Sequence, residues 1–306
     1  MPIDDHGGHG RSGLGITYLL DSAPQRRPHI TGRLAKDLPI DKLKVPAGFK
    51  VEVWTDGIPE ARSLALGDKG TVFVSNRTLS NVYAVVDPGG KRTVKTLLKG
   101  MTNPNGITFS KGTLYVAERN RTLSYAGIED RLDNPPEPAV VIDNLDPNKA
   151  PGHFWKFLAM GPDGKLCFNI GNPQNISMPS YNEATIMQVD VKTGVLENFA
   201  SGVRFYTGNM FPPEYHNNMF MARRGSWNRE IKHGYDVLRV VIDAKNNARI
   251  EPFLTGFLID EKADPPMWGR PVDVLVIRDG SLLVSDDHNG IIYRVSHAAR
   301  PVSQKE

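Results

Sequence analysis

A chain of 306 residues can hold one large domain or two ordinary ones, and 40% apolar with 23% charged residues, 29 Gly and 23 Pro describe a soluble, turn-rich globular protein, which excludes disordered and fibrous classes. Lys and Arg number 37 against 34 Asp and Glu with no run of one sign, so the charge pattern argues against a nucleic-acid footprint while leaving room for a small anionic ligand. The single Cys167 excludes a disulfide-stapled scaffold, and no stretch reaches the ~20 apolar residues of a membrane span.

Residues 1–45 lie outside any repeat and are expected to wrap an edge or close a ring. Their first segment, Met1 to Gly13, carries Asp4 and Asp5 where a secretory leader has basic residues running into an apolar core, so it reads as no leader. His6 and His9 belong to this solvated tail and are not read as metal ligands. From residue 46 a unit recurs five times: an apolar strand closed by Gly or Asn, a loop, an alternating strand, a Gly-centred turn and a further alternating strand. The opening strands are FKVEVWTDGI (49–58), VKTLLKGM (94–101), AVVIDNL (139–145), LENFASGV (196–203) and IEPFLTGF (250–257). Apolar alternation broken by Gly turns marks antiparallel hairpins, and a four-stranded unit of ~40–50 residues is a propeller blade. The expectation is an all-β propeller of about five blades over residues 46–298, with a tail at 299–306. A β-sandwich is the alternative, disfavoured because it does not ordinarily repeat one motif five times.

In a propeller the loops leading into the inner strands gather around one end of the axis, so polar residues there converge. His153 enters the third inner strand beside Trp155 and Lys156 and is the best general base in the chain, because a neutral imidazole accepts a proton near neutral pH. A histidine hydrogen-bonded for structure is the competing reading. Arg62, Arg204 and Arg270 each start an inner strand, while Arg223, Arg224 and Arg229 follow the second strand of the fourth unit. Guanidinium forks suit carboxylates, so a ring of them favours an anionic cofactor or substrate over isolated ion pairs. Trp155, Trp227 and Trp268 occupy the same class of loops and either stack on a planar ligand or pack. Asp163 and Asp279 fit Asp-Gly turns; Asp286 and Asp287 are too few for calcium by themselves. Cys167 is expected to be a small buried hydrophobe. Asn175-Ile176-Ser177 matches a glycosylation acceptor by pattern only.

Four stretches carry a family resemblance: NPNGITFSKGTLYVAERNR (103–121), GHFWKFLAMGPDGKL (152–166), RFYTGNMFPPEYHNNMFMARRGSWNR (204–229) and WGRPVDVLVIRDGSLLVSDDHNGIIYRVS (268–296). Through them the chain resembles the glucose/sorbosone dehydrogenase family, in particular the L-sorbosone dehydrogenase branch. The resemblance implies pyrroloquinoline quinone (PQQ) and Ca²⁺ as cofactors, a small sugar or sugar aldehyde as substrate, an electron acceptor, and a periplasmic location. It implies that His153 takes the proton of the sugar hydroxyl as hydride passes to the quinone. Arg204 and Arg223 would meet the cofactor, with Trp227 and Arg270 as further pocket members; it assigns no metal ligand. The family is six-bladed, so five units imply that the chain passes at Val203-Arg204 from the family's fourth blade into its fifth, and Phe205 stands where the family has Asn. Two other functions stay open: a calcium-dependent lactone hydrolase on a similar propeller, for which Asn105 and Asp273 are the obvious axial candidates, and a non-catalytic binding scaffold.

Overall fold

The computed structural model describes residues 33–143, 145, 156–161, 164–170, 185–189, 191–192, 196–198, 204–225, 232, 234–242, 248–262 and 265–298. Among them are five four-stranded antiparallel sheets and no α-helix. After β1 (Phe49–Thr55), blade I comprises β2 (Leu64–Leu66), β3 (Val72–Asn76), β4 (Asn81–Val86) and β5 (Thr93–Leu98). Blade II follows with β6 (Ile107–Ser110), β7 (Thr113–Ala117), β8 (Thr122–Ala126) and β9 (Ala139–Ile142). Blade III holds β10 (Leu158–Met160), β11 (Leu166–Ile170), β12 (Thr185–Val189) and β13 (Leu196–Asn198). Blade IV holds β14 (Arg204–Phe205), β15 (Met219–Arg223), β16 (Asp236–Ile242) and β17 (Ala248–Leu254). Blade V has three consecutive strands, β18 (Pro271–Val276), β19 (Leu282–Asp286) and β20 (Ile291–His297), and takes β1 as its fourth.

This shifts the phase of the repeat by one strand. Each opening strand of the sequence unit is the outer strand of the preceding sheet, and the first of them, β1, pairs along β20 from Phe49 opposite His297 to Thr55 opposite Ile292. Strand exchange between the two ends of the repeat covers the β20 edge, which would otherwise offer a row of unpaired backbone groups to other chains. Residues ahead of β1 add to this closure: Leu38 and Leu43 are buried in the core of blades IV and V, and Lys44 bridges Thr255.

Alternation decides what packs. In β3 and β19 every residue is buried, because both faces of a middle strand meet neighbouring blades. Apolar clusters fill the junctions between blades I and II, II and III, IV and V, and V and I. None spans blades III and IV among the described residues. Cys167 lies half-buried in β11 opposite Ala159, more open than the sequence reading expects.

Polar clamps reinforce the apolar junctions. The buried Glu129 carboxylate of blade II accepts the Lys69 N–H with both oxygens, at 2.9 and 3.0 Å, and the Thr71 N–H at 3.1 Å, so it knots the β2–β3 turn of blade I. Gly67 stands against the same carboxylate, where no Cβ fits. Glu129→Ala orphans these buried donors and is expected to lower stability by ~2–3 kcal/mol in urea unfolding.

Candidate active site at the propeller mouth

Antiparallel pairing puts the starts of the inner strands β2, β6, β10, β14 and β18 at the same end of the body as the ends of β3, β7, β11, β15 and β19. Side chains from successive blades therefore meet there, and hydrogen bonds run between them in sequence around the mouth. Lys156 of blade III is buried and donates through Nζ to the Arg119 carbonyl of blade II at 2.5 Å, while its own carbonyl accepts Asn105 Nδ2 at 2.9 Å. Asn105 Oδ1 accepts from Arg62 Nε, which crosses to blade I. Arg62 Nη1 then reaches Asp287 Oδ2 of blade V at 2.7 Å, and Arg224 Nε of blade IV reaches the same oxygen at 2.7 Å. Arg270 Nε returns from blade V to the Arg224 carbonyl at 3.3 Å.

Charge is unbalanced in this network. Arg62, Arg77, Arg224 and Arg270 interact electrostatically with one another and with Glu60, Asp287 and Asp286. Burial pulls the Arg62 guanidinium down to about 10, against the pull of Asp287. Burial likewise lowers Arg77 and Arg270. Burial would raise Asp287, but Arg224, Arg62 and Arg270 together hold it below the ordinary carboxylate range. Burial pushes Asp286 up, opposed by hydrogen bonds from the Arg270 N–H, Asn289 and Tyr293. With Asp286 shifted toward its neutral form, four guanidiniums face two carboxylates, an excess of positive charge suited to an anion.

Arg224 is the member turned outward. Its side chain is 38% exposed, and only its Nε is committed to Asp287. Arg223, one residue earlier, makes a two-point pair with Asp236 across β15 and β16, Nε to Oδ1 at 2.7 Å and Nη2 to Oδ2 at 2.5 Å. Arg270 is buried, with its guanidinium 5.8 Å from the Tyr235 ring centre. Arg204 opens β14 opposite Phe220, and its side chain is outside the described residues. His153, Trp155, Trp227 and Arg229 lie outside them as well. Trp268 is packed against Phe257 and donates Nε1–H to the Gly256 carbonyl at 2.7 Å, which is the packing reading of that residue. Sequence reasoning passed over His288, which is exposed in the β19–β20 turn beside Asp286 and interacts with Arg270 and Asp287.

The donor set fits an anionic cofactor better than a cation. Among the described residues no group of three or more His, Cys, Asp or Glu side chains is arranged to hold a metal. Asp287 Oδ1 is buried with no hydrogen-bond partner, one oxygen where calcium takes six to eight. The two axial candidates of a calcium-dependent hydrolase are spent between strands: Asn105 as above, and Asp273 on Ser63 Oγ and the Leu64 and Val274 N–H groups.

Comparison with known proteins follows the same outline. No family model matches the chain. An uncharacterised protein of Borreliella burgdorferi is 24% identical over 83% of this chain and 90% of its own. That alignment takes 349 positions, exceeding the matched part of this chain by more than one blade-sized unit of ~40–50 residues. Among solved structures, the holo PQQ domain of pyranose dehydrogenase from Coprinopsis cinerea superposes with a TM-score of 0.64 at 15% identity, covering 83% of this chain and 97% of that one. A calcium structure of the Trichoderma reesei carbohydrate-active enzyme family AA12 gives 0.65 at 14% identity, covering 84% and 97%. The PQQ-bound aldose sugar dehydrogenase of Streptomyces coelicolor gives 0.53 at 13% identity, covering 83% and 99%. The structural neighbours of this chain are thus PQQ-dependent sugar dehydrogenases, and at these identities what the chain shares with them is the β-propeller fold.

Proposed function

We propose that the chain is an oxidoreductase of the quinoprotein sugar dehydrogenase type, oxidising a sugar or sugar aldehyde at the arginine-lined mouth. The observation that carries this reading is the outward guanidinium of Arg224, backed by Arg62 and Arg270 around the one carboxylate Asp287. When bound, PQQ supplies the two-electron acceptor, and its carboxylates call for cationic partners of this kind. Arg224 binds a carboxylate with its terminal nitrogens, while Asp287 fixes its Nε and so sets the direction of the fork. Arg223, tied to Asp236, anchors the backbone that carries Arg224. By the family resemblance Arg204 and Trp227 complete the cofactor wall, and His153 accepts the proton of the substrate hydroxyl. No step is routed through calcium, for which the described donors do not suffice. A periplasmic location belongs to the same reading.

The test is an absorbance titration with PQQ alone, followed by dye reduction with aldoses and sorbosone. Saturable binding is expected, weakened about tenfold or more by Arg224→Ala, since a charge-assisted hydrogen bond contributes ~1.5–3 kcal/mol. His153→Ala is expected to bind the quinone normally and lose turnover. A flat titration, or one indifferent to Arg224, rejects the reading.

A further inference from the structure

The end of the body away from the mouth holds a cavity of about 400 Å³, enclosed by the later halves of the inner strands of blades II to V. It borders the one junction, between blades III and IV, that has no apolar cluster among the described residues. Its size falls within the ~300–1,000 Å³ of small-molecule sites. Three features define what fits. The rings of Phe109, Phe205, Tyr206 and Phe220 face it, a concentration of aromatic surface suited to offset or edge contacts with a flat ring. Phe205 is 50% exposed and belongs to none of the blade-to-blade cores, so packing of the fold does not account for its place there. No Asp, Glu, Lys, Arg or His side chain lines the wall, and the one ionisable group, the Tyr206 hydroxyl, is committed: it donates to the Gly280 carbonyl at 2.6 Å and accepts the Phe211 N–H at 2.9 Å.

The wall is also preformed. Tyr206, Phe220 and Val274 are at most 2% exposed and fixed in the blade IV–V core, whereas Phe205 and Ala159 are open to the space. A charged molecule entering here would lose hydration with no partner to replace it. We propose that this cavity is a second binding site, separate from the mouth, for an uncharged planar aromatic molecule. The proposal does not depend on the chemistry at the arginine cluster.

The experiment uses the full chain and the uncharged fluorophore N-phenyl-1-naphthylamine, with its sulfonated analogue 1-anilinonaphthalene-8-sulfonate as the charged comparison. Saturable binding of one uncharged probe per chain is expected, at least tenfold tighter than the sulfonated one. Phe205→Ala, at a half-exposed position whose loss the fold tolerates, is expected to weaken it at least fivefold. Ala159→Phe, which fills the space from an open position, is expected to abolish it, with circular dichroism unchanged for both. Binding that is non-saturable, equal for both probes or unaffected by the two substitutions overturns the proposal. So does binding lost in step with dimer formation in light scattering, which would make another copy of the chain the occupant.

Discussion

Asp287→Ala is expected to lower the stability of the folded chain by ~3–5 kcal/mol, the cost of breaking a buried ion pair from one side. The Asp287 side chain is 1% exposed and that of Arg62 is 4% exposed, so removing the carboxylate leaves a guanidinium out of water with Arg224 and Arg270 as its neighbours. Arg62 is already pulled down to about 10 by burial with Asp287 present, which measures how little hydration it keeps. Asp287→Asn retains shape and one acceptor and loses only the charge, so it should fall between wild type and alanine. The pH dependence has a fixed sign. A carboxylate held below its unfolded value contributes stability that is present above about pH 4 and lost as pH falls through its folded value. The gap between wild type and Asp287→Asn in urea unfolding should therefore narrow below about pH 4. A variant within ~0.5 kcal/mol of wild type at neutral pH would show that the mouth is not organised around this pair.

The strands of this fold are legible in the sequence because alternation and Gly turns are local. The turns of VIRDGSLLV and FSKGTLYV place Gly280 and Gly112 at φ of +82° and +75°, where residues with a Cβ are strained. What local pattern does not carry is the partner of each strand. An outer strand such as β1 alternates like an inner one, and its pairing with β20 spans nearly the whole repeat. The convergence of Arg62 and Arg270 at the mouth follows from register, since both precede inner strands. Choosing between Arg223 and Arg224 needs the parity of β15: Phe220 enters the blade IV–V core, and Met221 on the opposite parity is exposed. Asp286 was the least legible. Asp-Asp-His-Asn reads as an ordinary polar turn, and only the tertiary fold brings Tyr293 and the Arg270 N–H onto its carboxylate.

Asp286→Ala should be more damaging still. The Asp286 carboxylate, fully buried at the end of β19, accepts five hydrogen bonds. Oδ1 takes the N–H groups of Arg270 at 2.9 Å, His288 at 3.0 Å and Asn289 at 3.2 Å. Oδ2 takes Asn289 Nδ2 at 2.7 Å and the Tyr293 hydroxyl at 2.9 Å. One side chain thus ties the β19–β20 turn to the start of β18 and sets the backbone from which Arg270 projects. Alanine orphans donors that each cost ~1–3 kcal/mol when buried, and the sum reaches ~4–5 kcal/mol or more even if water recovers some of them. In thermal unfolding this is a loss of about 10 °C or more for a chain of this size. Asp286→Asn keeps an acceptor for the three backbone groups and should recover part of the loss. Its pH dependence runs opposite to that of Asp287→Asn. Burial raises the Asp286 carboxyl, so its contribution is present below the unfolded carboxylate value and is lost as pH rises through the folded one. The gap between wild type and Asp286→Asn should therefore narrow as pH rises, whereas the gap for Asp287→Asn narrows as pH falls. Two adjacent carboxylates with opposite slopes are what an arginine cluster fixed on one of them and a backbone knot around the other require, and parallel slopes for the two asparagine variants would contradict that arrangement.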